Sequence, residues 1–268
     1  MFLFITFLRI DAVHALVAFA SAFVAGAINS VAGGGTLLTF PTLIWLGLPS
    51  IAANATSTVA LWPGTLGTVW GYRREVSTAS PRMLMLVIPS VMGGILGALL
   101  LNRTPPVVFD ALVPFLILFA TLLFMLQAPI QKRFKLADAA SHGTAQWLIG
   151  AISFQFFVAL YGGYFGAGIG ILTLGALSVL GLNDIHQMNG LKAILGGSVN
   201  GVATAYFIWA GMVYWPEFVV MVVGAIIGGY GGALIARRTG ATTVRRIVVI
   251  VGLAMAASMF VKFFRTWL

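Results

Sequence analysis

The sequence contains no cysteine and very little charge, and both absences limit the class of protein. The lack of cysteine among 268 residues excludes disulfide bonds and thiolate metal sites. Lys, Arg, Asp and Glu together make up 8% of the chain, whereas a soluble domain carries about 25%. There is also no Walker motif and no His-x-x-x-His pair. We therefore expect no metal site and no cofactor.

The sequence also lacks the residues of a membrane-embedded enzyme. No two carboxylates lie together within an apolar stretch. The one nominal Ser–His pair, Ser198 with His186, has nothing around it that resembles a nucleophile motif. We therefore expect no catalytic residues and do not interpret the chain as an enzyme.

What the chain has instead is a series of long apolar runs. Hydrophobic residues make up 60% of it, and runs of roughly 15–25 such residues are typical of membrane-spanning helices. The pattern predicts an all-α polytopic membrane protein. The ten predicted segments are 12–31, 35–48, 51–71, 83–101, 107–127, 145–164, 168–182, 185–209, 216–236 and 244–264.

The two halves of the chain resemble each other. A shift of 135 residues places Gly93–Leu99 on Gly228–Leu234 with five of seven residues matching, and a shift of 134 places Leu46–Ile51 on Leu180–Ile185. The glycines four residues apart in the first pair are interpreted as faces at which helices pack. An odd number of segments per repeat makes the two halves inverted in the membrane. The predicted regions are a first transmembrane repeat over 1–127, a basic cytoplasmic linker over 128–143 and a second, inverted repeat over 144–268.

The basic residues predict which side of the membrane each loop occupies. If every segment crosses, the loops after segments 3, 5, 7 and 9 share one side, and the basic clusters near Arg73, Lys132 and Arg237 lie there. The positive-inside rule makes that side cytoplasmic and both termini periplasmic. The net charge of +9 thus reflects membrane topology and not nucleic-acid binding. Since the apolar run starts at Met1, before any positive charge, we expect this segment to be retained and not cleaved as a signal peptide.

Two glycine-rich breaks precede the two shortest segments. Asn29–Thr36 leads into segment 2, and Gly162–Gly170 leads into segment 7 at the corresponding place. Glycine lets the backbone approach a ligand, and a helix starting near Thr36 would offer free N–H groups and a positive dipole end to an anion. Close helix packing explains a single cluster equally well. Two clusters in corresponding positions are typical of a transporter site.

Lys192 is the one charged residue that lies deep within an apolar segment. A charge at that depth costs about 2.5–3.5 kcal/mol on insertion scales and usually faces a cavity or a partner. No Asp or Glu lies at a comparable position, which predicts an anionic substrate as the partner. At helical spacing, Asn189, Lys192, Gly196 and Asn200 form one polar stripe, in which Gly196 leaves room.

Segment 3 carries further polar residues at Asn54 and Ser57. For Ser57, and for Ser198 of segment 8, we favour the ordinary interpretation that a hydroxyl bonds a neighbouring helix. Asp184 is interpreted as a helix N-cap, and a proton-coupling role together with His186 stays open.

Three motifs resemble the TauE/SafE sulfite-exporter family of bacterial membrane permeases: Ala27–Thr36, Ala53–Ser57, and Asn189–Lys192 with Asn200. The resemblance covers essentially the whole chain, and its most specific part is the Asn-x-x-x-Gly-Gly-Gly stretch. It implies a multi-pass inner-membrane protein that moves small sulfur-containing anions, such as sulfite, sulfoacetate or related organosulfonates, usually outward. The predicted substrate-binding residues are Asn29, Gly33, Gly34, Gly35, Thr36, Asn54, Ser57, Asn189, Lys192 and Asn200.

We therefore predict an exporter of such anions that the membrane potential assists, since about 2.3 kcal/mol per charge per 100 mV drives anions out of a negative interior. Two alternatives stay open: a proton-coupled importer of a small organic anion, and a non-transporting scaffold whose glycine faces bind other helices. The expected partners are the small anion and the lipid bilayer, without nucleic acid, and a homodimer stays open.

Overall fold

The protein, described by a computed structural model, consists of helices joined by short connections. The structure describes residues 11–31, 34–77, 81–135, 145–179, 182, 185–239 and 249–261, and these ranges contain no β-strand. Each of the ten predicted segments corresponds to one helix of ten or more described residues, so the all-α prediction is confirmed. In chain order the helices of this part are α1 (Ala12–Val31), α2 (Thr36–Trp45), α3 (Ser50–Gly71), α4 (Arg73–Ser77), α5 (Pro81–Leu84), α6 (Val87–Arg103), α7 (Pro106–Lys135), α8 (Ala145–Tyr164), α9 (Ile169–Val179), α10 (Ile185–Trp209), α11 (Trp215–Thr239) and α12 (Val249–Val261).

One helix continues beyond its predicted segment. α7 runs on to Lys135, so residues 128–135 of the predicted linker are helical, and residues 136–143 lie outside the described residues. Gln, Lys and Arg are good helix formers, so a change from apolar to polar composition does not by itself end a helix. The polarity pattern shows where the chain stops being apolar, but it does not show at which residue the helix ends.

The outer surface carries many large apolar side chains. Ile88, Val107 and Phe157 are each more than 60% exposed, which is unusual in water and expected in lipid. Three stretches, Ala12–Asn29, Pro106–Leu126 and Gln187–Trp209, are long and apolar enough to cross a membrane, and shorter apolar helices accompany them. The chain is a multi-pass membrane protein.

α2 and α9 are much shorter than the helices around them, as predicted. They contain 10 and 11 residues, which gives each a length of about 15–17 Å against a hydrocarbon core of about 30 Å. Positive φ angles at Gly34 before α2, and at Gly166 and Gly168 before α9, turn the chain at both breaks. Glycine adopts this conformation without the steric cost that a Cβ imposes.

Two helix pairs make the most extensive contacts, α1 with α11 and α6 with α8. A Cβ on Gly228 would collide with the carbonyl oxygen of Phe23, and a Cβ on Gly93 would collide with that of Phe156. Both glycines therefore let two helix backbones touch, which confirms the predicted packing faces. Gly93 and Gly228 are the pair matched by the shift of 135. Their contact residues, Phe156 and Phe23, are separated by 133 residues, which is close to the same shift.

The same contacts give the directions of the helices. α6 and α8 run parallel, because Gly93 approaches Phe156 and Gly97 approaches Leu160. α6 is also parallel to α10, since Asn102 near its end bonds Tyr206 near the end of α10. α11 turns back from α10 after the short connection 210–214, and α1 runs parallel to α11. α1 and α8 thus run in opposite directions, as inverted halves require, and the repeat itself stays a prediction that these contacts support.

Candidate functional site

Three predicted residues are joined around the first break by a chain of hydrogen bonds. The Asn29 Oδ1 accepts a bond of 2.7 Å from the Gly35 N–H. The Gly35 carbonyl accepts a bond of 3.2 Å from the Thr39 hydroxyl, which lies 2.6 Å from the Ser57 hydroxyl. This chain connects α1, α2 and α3, so Asn29 and Ser57 hold the first break in shape.

Gly34 needs to be glycine for two independent reasons. Its φ is +98°, and a Cβ at this position would collide with the ring of Phe124. The next glycine, Gly35, is buried, and a Cβ there would lie 2.6 Å from the carbonyl oxygen of Ala25. Gly33, the remaining glycine of the predicted set, lies outside the described residues.

The start of α2 offers fewer free N–H groups than the sequence predicted. The helix begins at Thr36, as expected, and Thr36 is half-buried. However, the Gly35 N–H donates to Asn29, and the N–H groups of Leu37 and Leu38 donate to the carbonyls of Gly34 and Gly35 at 3.0 and 2.9 Å. A tight first turn satisfies these donors locally. The expectation of free donors facing an anion is therefore wrong for these groups.

In the second half, the polar stripe of α10 lies along the second break. A Cβ on Gly170 would be 3.4 Å from the Lys192 Cδ, and a Cβ on Gly166 would be 3.9 Å from the Asn200 Oδ1. Gly196 lies between these two contacts on α10, and a Cβ there would have no neighbour within 4 Å. The stripe therefore borders open space at Gly196, with the lysine on one side of it and the asparagine on the other.

The Lys192 ammonium is half-buried and has a neutral partner. Its Nζ donates a bond of 3.1 Å to the Asn189 Oδ1, the one hydrogen-bond partner that the described residues provide. An ammonium has three protons, so two remain for other acceptors. Asp184 lies outside the described residues, as does the side chain of His186. In the described part of the chain, the lysine thus has a neutral partner and no carboxylate partner.

Asn54 connects the first half to the second break. Its Nδ2 donates a bond of 3.0 Å to the Tyr164 carbonyl, 110 residues away in the sequence. Ser57, one turn further along α3, faces the first break instead. The short helix α2 also contacts the second break, because the ring of Phe40 in α2 packs edge-on against Phe165 with centroids 5.2 Å apart. The two breaks and α3 therefore form one continuous region.

The interpretation of the two serines is confirmed for one and wrong for the other. Ser57 bonds a neighbouring helix through Thr39, as expected. Ser198 instead donates a bond of 2.8 Å to the Ile194 carbonyl of its own helix. A helical serine can always satisfy its hydroxyl at the carbonyl four residues earlier, so sequence position alone does not show which partner it takes.

Three residues of this region are not in the set that the sequence predicted. Thr39 joins the first hydrogen-bond chain, and Trp62 donates from its Nε1 to the Gly197 carbonyl at 3.0 Å. Thr173 is fully buried with a hydroxyl that has no hydrogen-bond partner, one turn after Gly170. The sequence could have indicated the two threonines, because they occupy matching positions in the two halves. Thr39 and Thr173 are separated by the same shift of 134 that relates the ends of segments 2 and 7.

Comparison with known proteins agrees with this arrangement. Residues 18–259 match the sulfite exporter TauE/SafE family. The chain belongs to this family. Among its relatives, a probable membrane transporter protein of Haemophilus influenzae is 29% identical over 242 residues, covering 90% of this chain and 92% of the relative. Proteins with the same description from Sinorhizobium and Escherichia coli K12 are each 29% identical, over 239 and 245 residues, covering 89% and 91% of this chain and 89% and 88% of their own.

Membership in the TauE/SafE family confirms the resemblance that the motifs indicated. The matched range contains both glycine breaks, α3 and the Lys192 stripe, so the family relationship covers the whole candidate site. The family and its relatives make this chain a membrane transporter.

Proposed function

We propose that this TauE/SafE protein exports small sulfur-containing anions, such as sulfite, sulfoacetate or a related organosulfonate, across the bacterial inner membrane. The observation that carries the proposal is Lys192, a half-buried ammonium within a membrane helix whose partner in the described residues is a neutral amide. The relatives, described as probable membrane transporter proteins, support transport and leave the substrate open.

The chemistry of the lysine favours an anion with several oxygens. A sulfite or sulfonate group presents three acceptors, and the ammonium has two protons beyond the one given to Asn189. Hydrogen bonds to a charged group contribute about 1.5–3 kcal/mol each. A bound anion therefore offsets much of the cost, about 2.5–3.5 kcal/mol, of keeping an ammonium at membrane depth.

The proposed binding region extends from the open space beside Gly196 to the two breaks. Lys192 and Asn189 would hold the anionic head, and Asn200 would contact the other end of the space. The residues around the first break would shape the opposite wall through their hydrogen-bonded chain. The full set of proposed binding residues is Asn29, Gly33, Gly34, Gly35, Thr36, Asn54, Ser57, Asn189, Lys192 and Asn200.

The direction of transport is argued from the driving force. A bacterial interior is negative, and the membrane potential supplies about 2.3 kcal/mol per charge per 100 mV to an anion that moves outward. The two halves would rock against each other about the central site, exposing it alternately to each side. An exporter of this kind requires no coupling ion.

A ligand panel in a thermal-unfolding assay tests the substrate class. The purified protein is heated with sulfite, sulfoacetate, taurine, thiosulfate, sulfate or lactate at equal ionic strength. We expect the sulfur anions that bind to raise the unfolding midpoint of the wild type and of Ser198→Ala, whose hydroxyl is bonded within its own helix. The same anions should leave Lys192→Met unchanged. A rise with lactate alone would contradict the proposed substrate class.

Reconstitution into proteoliposomes tests the direction and separates the alternatives. Anion flux should follow an imposed membrane potential and should persist without a proton gradient. Flux that needs a proton gradient and ignores the potential would favour the proton-coupled importer. A protein that folds normally and moves none of the anions would favour the scaffold.

A further inference from the structure

Three buried side-chain oxygens of α3 and α10 have no hydrogen-bond partner among the residues that the structure describes. They are Oδ1 of Asn54, Oδ1 of Asn200 and Oγ1 of Thr204. Asn54 and Thr204 are 1% and 5% exposed, so water outside the protein does not satisfy them. Buried polar atoms are almost always hydrogen-bonded, and an unpaired one calls for an explanation such as a bound water or ion.

Two of these side chains, Asn54 and Asn200, approach one short segment of backbone. Asn54 reaches it from α3, with its Nδ2 on the Tyr164 carbonyl at 3.0 Å. Asn200 reaches it from α10, with its Oδ1 3.9 Å from the position that a Cβ on Gly166 would take. Thr204 follows Asn200 by one helical turn on the same face. The segment from Tyr164 to Gly166 is therefore approached by polar groups of two other helices.

The unpaired groups can receive a cation or a hydrogen-bond donor. The Tyr164 carbonyl can only accept, which fixes the Nδ2 of Asn54 towards it and leaves the Oδ1 as an acceptor on the other side. Tyr164 is also the last residue of α8, where the helix dipole places partial negative charge on the terminal carbonyls. Amide, hydroxyl and carbonyl oxygens at a broken helix end are the ligands that Na⁺ takes in membrane transporters.

We propose that Asn54, Asn200, Thr204 and the carbonyl end of α8 form a binding site for a sodium ion. The ligands are all neutral, which suits a monovalent ion, because divalent cations are generally held with carboxylates. The site goes beyond the proposed function, since it holds for either direction of transport. It also assigns a role to Thr204, which the substrate site does not use.

The sodium site and the anion site would share α10. Asn200 is eight residues after Lys192, a distance of about 12 Å along the helix axis. An anion beside Gly196 would lie between the ammonium and the sodium ion and would be attracted by both. Each ligand should therefore tighten the binding of the other by the same factor.

Thermal unfolding without any substrate anion tests the sodium site separately from the proposed function. The full-length protein is measured in sodium gluconate and in N-methyl-D-glucamine gluconate of equal ionic strength. We expect sodium to raise the unfolding midpoint of the wild type in a saturable manner, and expect this rise to vanish in Asn200→Leu and to weaken in Thr204→Val, which keeps the side-chain shape.

Gln155→Leu is the matched control. Gln155 is also a buried amide with an unpaired Oε1, but it lies more than two turns before Tyr164 on α8 and bonds Ser90. This variant should keep the full sodium response. A wild-type midpoint that does not depend on sodium would overturn the proposal and assign the oxygens to buried water. A sodium response as large as that of the wild type in both Asn200→Leu and Thr204→Val would overturn it as well.

Discussion

Replacing Lys192 with methionine should make the protein more stable while abolishing its transport. Methionine has nearly the same length, so it keeps the contact that the lysine side chain makes near Gly170. The change removes the ammonium and its bond to Asn189. Stability and function should thus move in opposite directions, which no purely structural role of Lys192 predicts.

The size of both effects can be worked out from the environment of the side chain. An ammonium costs about 2.5–3.5 kcal/mol at the centre of a membrane helix, and the charged bond to Asn189 in the same helix returns about 1.5 kcal/mol. Because the lysine is only half-buried, we expect a net gain of about 1–2 kcal/mol, or roughly 2–6 °C in the unfolding midpoint. Loss of a charged hydrogen bond should weaken anion binding roughly tenfold to hundredfold.

The assay combines unfolding without substrate and flux in proteoliposomes. Ser198→Ala serves as the matched control, since it removes a polar atom from the same helix that is already satisfied within that helix. Both quantities should stay near the wild-type values in this control. If Lys192→Met lowers the unfolding midpoint and still transports sulfite at the wild-type rate, the argument from an unneutralised ammonium is wrong.

Three further predictions follow from packing and hydrogen bonding. Gly228→Ala should destabilise the protein by about 3 kcal/mol, because the new Cβ collides with a backbone. Its control is Gly229→Ala, where the nearest atom to the new Cβ would be 3.8 Å away and stability should change by less than about 1 kcal/mol. The unfolding midpoints of the two variants are compared. Thr39→Val and Ser57→Ala should show a coupling of about 0.6–1.7 kcal/mol in a double-mutant cycle, because their hydroxyls bond each other; additive effects would exclude that bond. Gly34→Ala should lose at least about 1–2 kcal/mol from its positive φ alone, measurable as a lower unfolding midpoint with reduced anion flux.

Much of the architecture could be predicted because it depends on local pattern. A run of apolar residues forms a helix in lipid wherever it occurs, since the backbone must satisfy its own hydrogen bonds there. This is why all ten segments and the shortness of α2 and α9 were found. The end of α7 was missed because the polar residues up to Lys135 are still good helix formers.

The candidate site was predictable in its residue types and less so in its partners. The spacing of Asn189, Lys192 and Asn200 indicated a single stripe, and the stripe faces the second break. Spacing could not indicate that Asn54 would bond Tyr164, or that Ser198 would bond within its own helix. A hydroxyl or amide can be satisfied by several neighbours, and only the packing of distant segments selects one.

The sequence by itself determined that this chain crosses a membrane repeatedly, that two glycine-rich breaks interrupt it, and that one ammonium stays inside without a nearby carboxylate along the chain. These properties follow from residue composition and from spacing within single segments. Only the tertiary structure decided that the first break would satisfy its own N–H donors, and that Asn54 of α3 and Asn200 of α10 would both approach the end of α8. The second outcome depends on contacts between distant positions, such as Asn54 and Tyr164, which are 110 residues apart; helix packing creates these contacts and no local pattern encodes them.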